Sequence, residues 1–542
     1  MIPGALKAQH AVGTVRDSAS EAPIPGAVVT LTDSAGRVSR QLLTDGHGRF
    51  TVPADVRWAR LRVTRIGFSP VVVGYGPTTH AVVDVRMVPI TIMLDTIRAS
   101  TPAICGLADA SGNTAAALWD QARAALLANV VARRAIPATA VVVGYHFVFD
   151  SLGLQELNRR TTHRSGNEQR PFGAAASASE LSRTGYVIDG GGTREYLAPD
   201  ADVLLDPRFS ANHCFDVTLD RDGHPDQVGL AFRPAQNANS RVVDVAGTVW
   251  LDAGHPALRT IAFHYVNLEH SAEQAGAGGE LQFTTMRNGV IALTRWSLTA
   301  PVVAQQERHW GGGAVGVHDH VVQVDRMGGL LASATWPDGV TWQGSVGTVT
   351  GRVVRGDPPV AAAGAQVWLE STDDTATTDS AGIFHLPAVL PGRYRLRARD
   401  PALADFDVDP GVGTDVVVKA GEDSVRVPSL TSYSQIKRSV CGTEHRVLNS
   451  ALLFGQLMTT DGPPTWPADV NLTWPEVGAS ANAHQRVEPQ SHGRFYVCGV
   501  PRGRVVSLQV RRDSVVWLDT VVTAPRAPIG VLSLPLAKRG GG

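Results

Sequence analysis

Apolar and polar positions alternate in short runs along most of this chain, and glycine, proline or aspartate interrupts each run after about ten residues. Val28 and Thr30 alternate with Val29 and Leu31, and Val506-Ser507-Leu508-Gln509-Val510 keeps the same period of two. Such a period sends one set of side chains to a buried face and the other to solvent, as in a half-buried β-strand. Two stretches read as helix instead. Thr114 to Arg134 is filled with Ala and Leu, is capped by Asn113 or Thr114 and is stopped by Pro137. Ser177 to Thr184 opens with the capping box Ser177-x-x-Glu180 and ends at Gly185. The chain reads as mainly β.

A pattern then recurs three times in one order. Gly13-Thr14-Val15 is followed by Pro25-Gly26-Ala27-Val28-Val29 and Thr44-Asp45-Gly46-His47-Gly48-Arg49-Phe50. Gly351-Arg352-Val353, Ala363-Gly364-Ala365-Gln366-Val367 and Thr378-Asp379-Ser380-Ala381-Gly382-Ile383-Phe384 repeat it. A more divergent copy has Gly455-Gln456-Leu457, Ala468-Asp469-Val470 and Ser491-His492-Gly493-Arg494-Phe495. Gly48 and Gly382 stand where a tight turn needs positive φ, with Asp45 and Asp379 placed to cap the turn. Phe50, Phe384 and Phe495 open the next strand and point at a core between two sheets. Closing strands follow at Leu61-Arg62-Val63, Tyr394-Arg395-Leu396 and Val506–Val510. Each copy predicts one small Ig-like or transthyretin-like β-sandwich.

These motifs resemble the carboxypeptidase regulatory-like domain, a transthyretin-like sandwich grouped with carbohydrate-binding-like folds. The resemblance is carried by the Gly-x-Val opening, the Pro-Gly-Ala-x-Val strand and the Thr-Asp-x-x-Gly-x-Phe turn. It implies export, a structural or adhesion-like role, and no catalysis by the module itself. The third copy departs from the pattern at Ala468-Asp469 and Ser491.

Between the first two copies lies a block without the repeat. Its strands are expected at Cys214–Leu219, Val228–Phe232, Val243–Leu251, Leu258–Val266, Gly279–Thr285 and Val290–Leu298, with the Arg287-Asn288-Gly289 turn joining the last pair. Consecutive hairpins carrying Trp250, Phe263, Tyr265, Phe283 and Trp296 predict one curved antiparallel sheet with the helices packed on its concave face. In pattern this looks like the half-barrel of periplasmic lipoprotein-carrier proteins, which implies an apolar cavity. A core filled by its own side chains is nevertheless the expectation, with a bound acyl chain or other apolar ligand as the alternative. The division expected is 10–97, 98–345, 346–430 and 431–538: a regulatory-like sandwich, a central α+β block, and two further sandwiches, the last divergent.

Charge narrows the function. Lys+Arg total 49 against Asp+Glu 50, a net charge of -1, so no basic field exists to hold a nucleic acid. No apolar run reaches the ~18 residues that a membrane helix needs. The four cysteines, Cys105, Cys214, Cys441 and Cys498, form no CxxC motif and allow three pairings. Their order favours Cys105 with Cys214 and Cys441 with Cys498, bonds that persist only in the periplasm or outside the cell; four reduced buried thiols are the alternative. Met1 to His10 lacks the apolar core of a secretory signal, so an export signal is expected upstream.

Candidate chemistry is sparse. His270-Ser271-Ala272-Glu273 spells the zinc pattern His-x-x-Glu but reads as a loop. His318-Asp319-His320 with His309 puts two imidazoles on one side of a strand. Asp200, Asp202 and Asp206, and Asp405, Asp407 and Asp409, carry oxygen ligands suited to calcium, although short acidic turns usually face water. Gly311–Gly316 spells GxGxxG without the strand and helix that a dinucleotide site needs. Trp58, Trp368, Trp466 and Trp474 are candidates for stacking on sugars or for filling cores. The expectation is an exported, non-enzymatic cell-envelope protein with a binding or scaffolding role, with no catalytic, metal or cofactor residues. Its partner would be a carbohydrate or another envelope protein, with outer-membrane association open. The alternatives are an accessory hydrolase or carrier with its site in the central block, or a periplasmic part of an outer-membrane transport system.

Overall fold

A computed structural model describes residues 11–74, 82–90, 104–105, 114–167, 176–190, 193–235, 241–254, 257–309, 315–356, 358–406, 408, 412–442, 449–475, 482–487, 489 and 491–536. The fold is mainly β and divides into two compact units, Met1–Ser345 and Val346–Gly542. The expected boundary at 97/98 lies outside the described residues.

The first unit opens with seven strands: β1 (Ala11–Asp17), β2 (Val28–Thr32), β3 (Val38–Leu43), β4 (Arg49–Val52), β5 (Arg60–Thr64), β6 (Val71–Gly74) and β7 (Val82–Met87). They form a three-stranded sheet, β4-β1-β7, and a four-stranded sheet, β3-β2-β5-β6. Val15, Leu31, Phe50, Leu61 and Met87 are buried together in their core. The logic of the repeat is visible in the register. Gly13 lies directly opposite Phe50, and a Cβ at Gly13 would come within 2.8 Å of Phe50 Cε2 and closer still to Cζ. The opening glycine is the space into which the aromatic ring of the turn motif lies. Gly48 has φ +69°, and Asp45 Oδ1 accepts from the His47 and Arg49 amides at 2.9 and 2.8 Å. The buried Thr44 hydroxyl donates to Ile24 O and accepts from Ala27 N, closing the turn onto the Pro-Gly-Ala strand.

The second unit repeats this twice. Ile383–Val389, Gly347–Arg352 and Asp423–Arg426 form one sheet in that spatial order; Thr375–Thr377, Gln366–Leu369, Gly392–Arg399 and Val412–Val418 form the other. Gly351 faces Phe384, and Thr378 and Asp379 make the same bonds as Thr44 and Asp45. In the third copy Arg494–Pro501, Ser450–Met458 and Ile529–Pro535 face Asn482–Val487, Asp469–Pro475, Val505–Arg512 and Val515–Thr523, with the same sheet orders. Gly455 again lies opposite Phe495. The helix Tyr433–Cys441, with a complete capping box from Ser432 and Gln435, leads into this copy. Its Cys441 is bonded to Cys498.

The rest of the first unit is one antiparallel sheet. Its strands are β8 (Ile104–Cys105), β9 (Thr139–Phe149), β10 (Glu156–Asn167), β13 (His213–Thr218), β14 (Gln227–Pro234), β15 (Asp244–Asp252), β16 (Leu258–Val266), β17 (Gly278–Thr285), β18 (Ile291–His309), β19 (Val315–Thr335) and β20 (Thr341–Gln343). A separate hairpin pairs β11 (Val187–Gly190) with β12 (Thr193–Tyr196). The sheet runs β10-β9-β19-β18-β17-β16-β15-β14-β13-β8, with β20 added to β19. Cys105 and Cys214 are directly opposed on β8 and β13 and bonded.

The long helix α1 (Thr114–Ala135) packs on one face of this sheet, with Leu118, Trp119, Ala122 and Leu126 buried against Phe215, Phe232 and Val249. Two of its polar side chains are buried and satisfied. Gln121 Oε1 accepts from Gly67 N of the sandwich at 2.6 Å, and Asn129 Nδ2 donates to Ile291 O at 2.9 Å. The sandwich joins the same core through Val28 and Ile66. Arg65 donates to Gly26 O and Gly289 O, so the Pro-Gly-Ala strand sits on the Asn288-Gly289 turn. Burial pulls the Arg65 guanidinium down to about 10, still cationic at neutral pH.

The second expected helix is α2 (Ala178–Thr184), capped by Ser177 and closed by Gly185 at φ +82°. Three short helices were not expected: α3 (Ala201–Leu205), α4 (Pro207–Asn212) and α5 (His270–Gln274). The last corrects the loop expected at His270–Glu273. Each is a turn or two, too short for periodicity to register, and α3 and α4 are set by the caps Asp200 and Asp206.

Candidate functional site

The core of the large sheet is filled at the β13–β16 end and opens into a cavity at the other. A space of about 830 Å³ lies between β9, β10, β18 and β19 on one side and the β11–β12 hairpin with Leu197 and Ala198 on the other. Strand register fixes its floor. Leu298, Met327, His146 and Arg160 lie in one cross-strand row, and Trp296, Gly329, Gly144 and Thr162 in the next. The two glycines make the room. A Cβ at Gly329 would meet the Trp296 ring, and one at Gly144 would stand 2.8 Å from Thr162 Oγ1. Trp296 therefore lies across β19, and the floor beyond it stays open.

Polarity is graded across that floor. Trp296, Leu298, Ala300 and Met327 give an apolar half continuous with the main core. Toward the edge strand β10 the lining becomes His146, Asp325, Arg160, Thr162 and Arg164. His146 Nε2 stands 3.1 Å from Asp325 Oδ2, and Asp325 Oδ1 accepts from Gln323. The hairpin wall is tied down. Tyr196 donates to Pro301 O at 2.8 Å, and Tyr265 donates to Leu197 O at 2.8 Å. Burial raises both phenols, keeping them neutral donors; at Tyr196 hydrogen bonding to Arg194 opposes the rise. Arg194 is shared by Asp189 and Glu269. Burial opposes its charge, but the bonds to Asp189, Tyr196 and Glu269 outweigh that and hold it firmly protonated.

The candidate residues read from sequence fall elsewhere. His270 and Glu273 are exposed on α5. Asp200 and Asp206 are spent as helix caps, and Asp202 is paired with Arg133 at 2.8 Å and Arg134 at 3.2 Å. Among the described residues no three His, Cys, Asp or Glu side chains converge as a metal site would need. The side chains of His309, His318 and Asp405, and residues 311–314, 407 and 409, lie outside the described set. Trp474 is buried in the third core, Trp466 packs on Trp517 at 4.9 Å, and Trp58 packs on the first core. Half-buried Trp368 lies beneath Arg399, 5.2 Å from its ring. No helix among the described residues is long and apolar enough to cross a membrane.

A family model for the carboxypeptidase regulatory-like domain matches residues 11–88 and 348–431. Those two segments are carboxypeptidase regulatory-like domains. The match covers the two copies with the complete Thr-Asp-x-x-Gly-x-Phe turn; the third, outside it, repeats the sheet orders and the Gly–Phe contact of the regulatory-like domains. No curated protein sequence matches the chain. Among solved structures, a streptococcal ancillary pilin overlaps at 12% identity, 42% of this chain and 82% of that one, with a TM-score of 0.16. The shaft pilin SpaA of Lactobacillus rhamnosus GG overlaps at 9% identity, 36% and 100%, with a TM-score of 0.15. The Bacillus anthracis TIE protein overlaps at 10% identity, 72% and 80%, with a TM-score of 0.16. Overlap at this level carries no functional information.

Proposed function

We propose that this chain is an exported, non-catalytic binding protein of the cell envelope. In this reading 10–97, 346–430 and 431–538 are scaffold modules, and 98–345 is the ligand-holding domain. The observation that carries it is the cavity of about 830 Å³, within the ~300–1,000 Å³ common for small-molecule sites, with an apolar floor and a few placed polar groups. The half-barrel resemblance of the central strands supports the same use. The bonded pairs Cys105–Cys214 and Cys441–Cys498 support an oxidising compartment.

A neutral apolar dye such as N-phenyl-1-naphthylamine tests the reading. It should bind the full chain with one strong site, and Gly144→Leu should abolish that site by filling the floor, while far-ultraviolet circular dichroism stays unchanged. Equal binding by the variant removes the cavity as the site. Thiol titration of unreduced, denatured protein from its native host should find no free thiol; four free thiols would overturn export.

A further inference from the structure

We infer that the cavity takes an amphiphile with an anionic headgroup, its apolar tail on Trp296, Leu298 and Met327 and its headgroup at Arg160 and Arg164. This rests on the cavity being a ligand site, and it adds the ligand's charge and orientation.

The charges on the wall divide into spent and unspent. Arg194 is neutralised by Asp189 and Glu269, and His146 faces Asp325. Arg160 and Arg164 make no ion pair or hydrogen bond through their side chains among the described residues, and both are exposed at the rim. Among the described residues of the lining, one carboxylate stands against them without a partner, Glu195 on the hairpin. Arg160, Thr162 and Arg164 alternate along β10, so all three side chains project from one face, about 6.7 Å apart. A hydroxyl between two guanidinium groups is a row of donors with no carboxylate in it. Guanidinium forks match carboxylate and phosphate oxygens in bidentate geometry. The cross-strand order then sets the polarity of the ligand. Arg160 is joined to Leu298 through His146 and Met327, so a headgroup at the wet edge leads an apolar tail inward across β9 and β19. A wholly apolar ligand would leave the arginines unused, and a simple anion would leave the apolar floor uncovered.

Displacement of N-phenyl-1-naphthylamine from the full chain tests this, using dodecyl phosphate, dodecanoate, dodecan-1-ol, dodecyltrimethylammonium and inorganic phosphate, each below its micelle concentration. The two anionic amphiphiles should displace the dye at about tenfold lower concentration than dodecanol, a modest return from charge-assisted hydrogen bonds at a wet rim. Inorganic phosphate should not displace it. In R160Q/R164Q the anionic advantage should vanish while dodecanol is unaffected, and E195Q should enlarge it. Equal displacement by dodecanol, preference for the cationic amphiphile, or an advantage that survives R160Q/R164Q overturns the inference and leaves the ligand site standing. A chain that binds neither dye nor any amphiphile overturns the ligand site and the inference together.

Discussion

Gly455→Ala probes the link between the repeated motif and the sandwich core, in the copy that departs furthest from the family pattern. The added Cβ would stand 2.7 Å from Phe495 Cε2 and nearer still to Cζ, whereas carbon atoms in contact sit at about 3.5–4.0 Å. The ring must therefore retreat by an ångström or more. Phe495 is 2% exposed and is packed among Val470, Leu472, Val497 and Leu508, so it has nowhere to go without displacing them. Overpacking of this kind costs about 1–3 kcal/mol. Phe495→Ala alone should cost more, about 3–5 kcal/mol, but it also removes the obstacle. Adding Gly455→Ala to Phe495→Ala should then cost almost nothing, leaving a coupling of about 1–3 kcal/mol between the two sites. Hydrogen exchange of peptides covering 450–458 and 494–501 reads the opening free energy of this sandwich locally, which global unfolding of a multi-domain chain does not. The reasoning fails if Gly455→Ala leaves exchange unchanged, or if it costs the same with and without the Phe495 ring.

Two further outcomes follow from the first unit. Gln121→Leu removes the acceptor of the buried Gly67 amide and should lower stability by about 1–3 kcal/mol, with faster exchange around residues 65–68 as the local readout. Asp150 accepts from the Leu154 and Gln155 amides, bonds that hold its carboxyl below the ordinary 3.8. Its contribution to the β9–β10 hairpin is therefore present above that value and fades as pH falls below it. Deuterium uptake at 150–155, corrected for intrinsic exchange, should rise between about pH 4 and 2 in the native chain and show no such step in Asp150→Asn.

The sandwiches were legible because their instructions are local. A glycine that must face an aromatic ring, a positive-φ glycine and a threonine–aspartate pair closing one turn all lie within a few dozen residues of each other. The same holds for α1, whose composition and stop at Pro137 mark it, and for α2, whose cap is four residues long. The six strands expected from Cys214 to Leu298 are there, but β18 runs on to His309, and β9, β10 and β19 are additional to them. β10 is an edge strand whose residues, Arg159 to Arg164, are polar on both faces, so no alternation announces it. Where their side chains are described, β18 after Pro301 and β19 before Val324 are half-buried or exposed, so no buried face imposes an apolar period there.

Sequence alone determined the three Gly–Phe sandwiches, the two capped or composition-marked helices and the even charge balance, because each depends on neighbours close along the chain or on totals. The cavity was decided only in three dimensions. Its floor joins Trp296, Met327, Gly144 and Arg160 through register between strands as far apart in sequence as Gly144 and Gly329, a pairing that no local pattern encodes. The same is true of its charge: arginines are spread throughout this chain, and only the folded neighbours show that Arg194 is spent on Asp189 and Glu269 while Arg160 and Arg164 make no ion pair among the described residues.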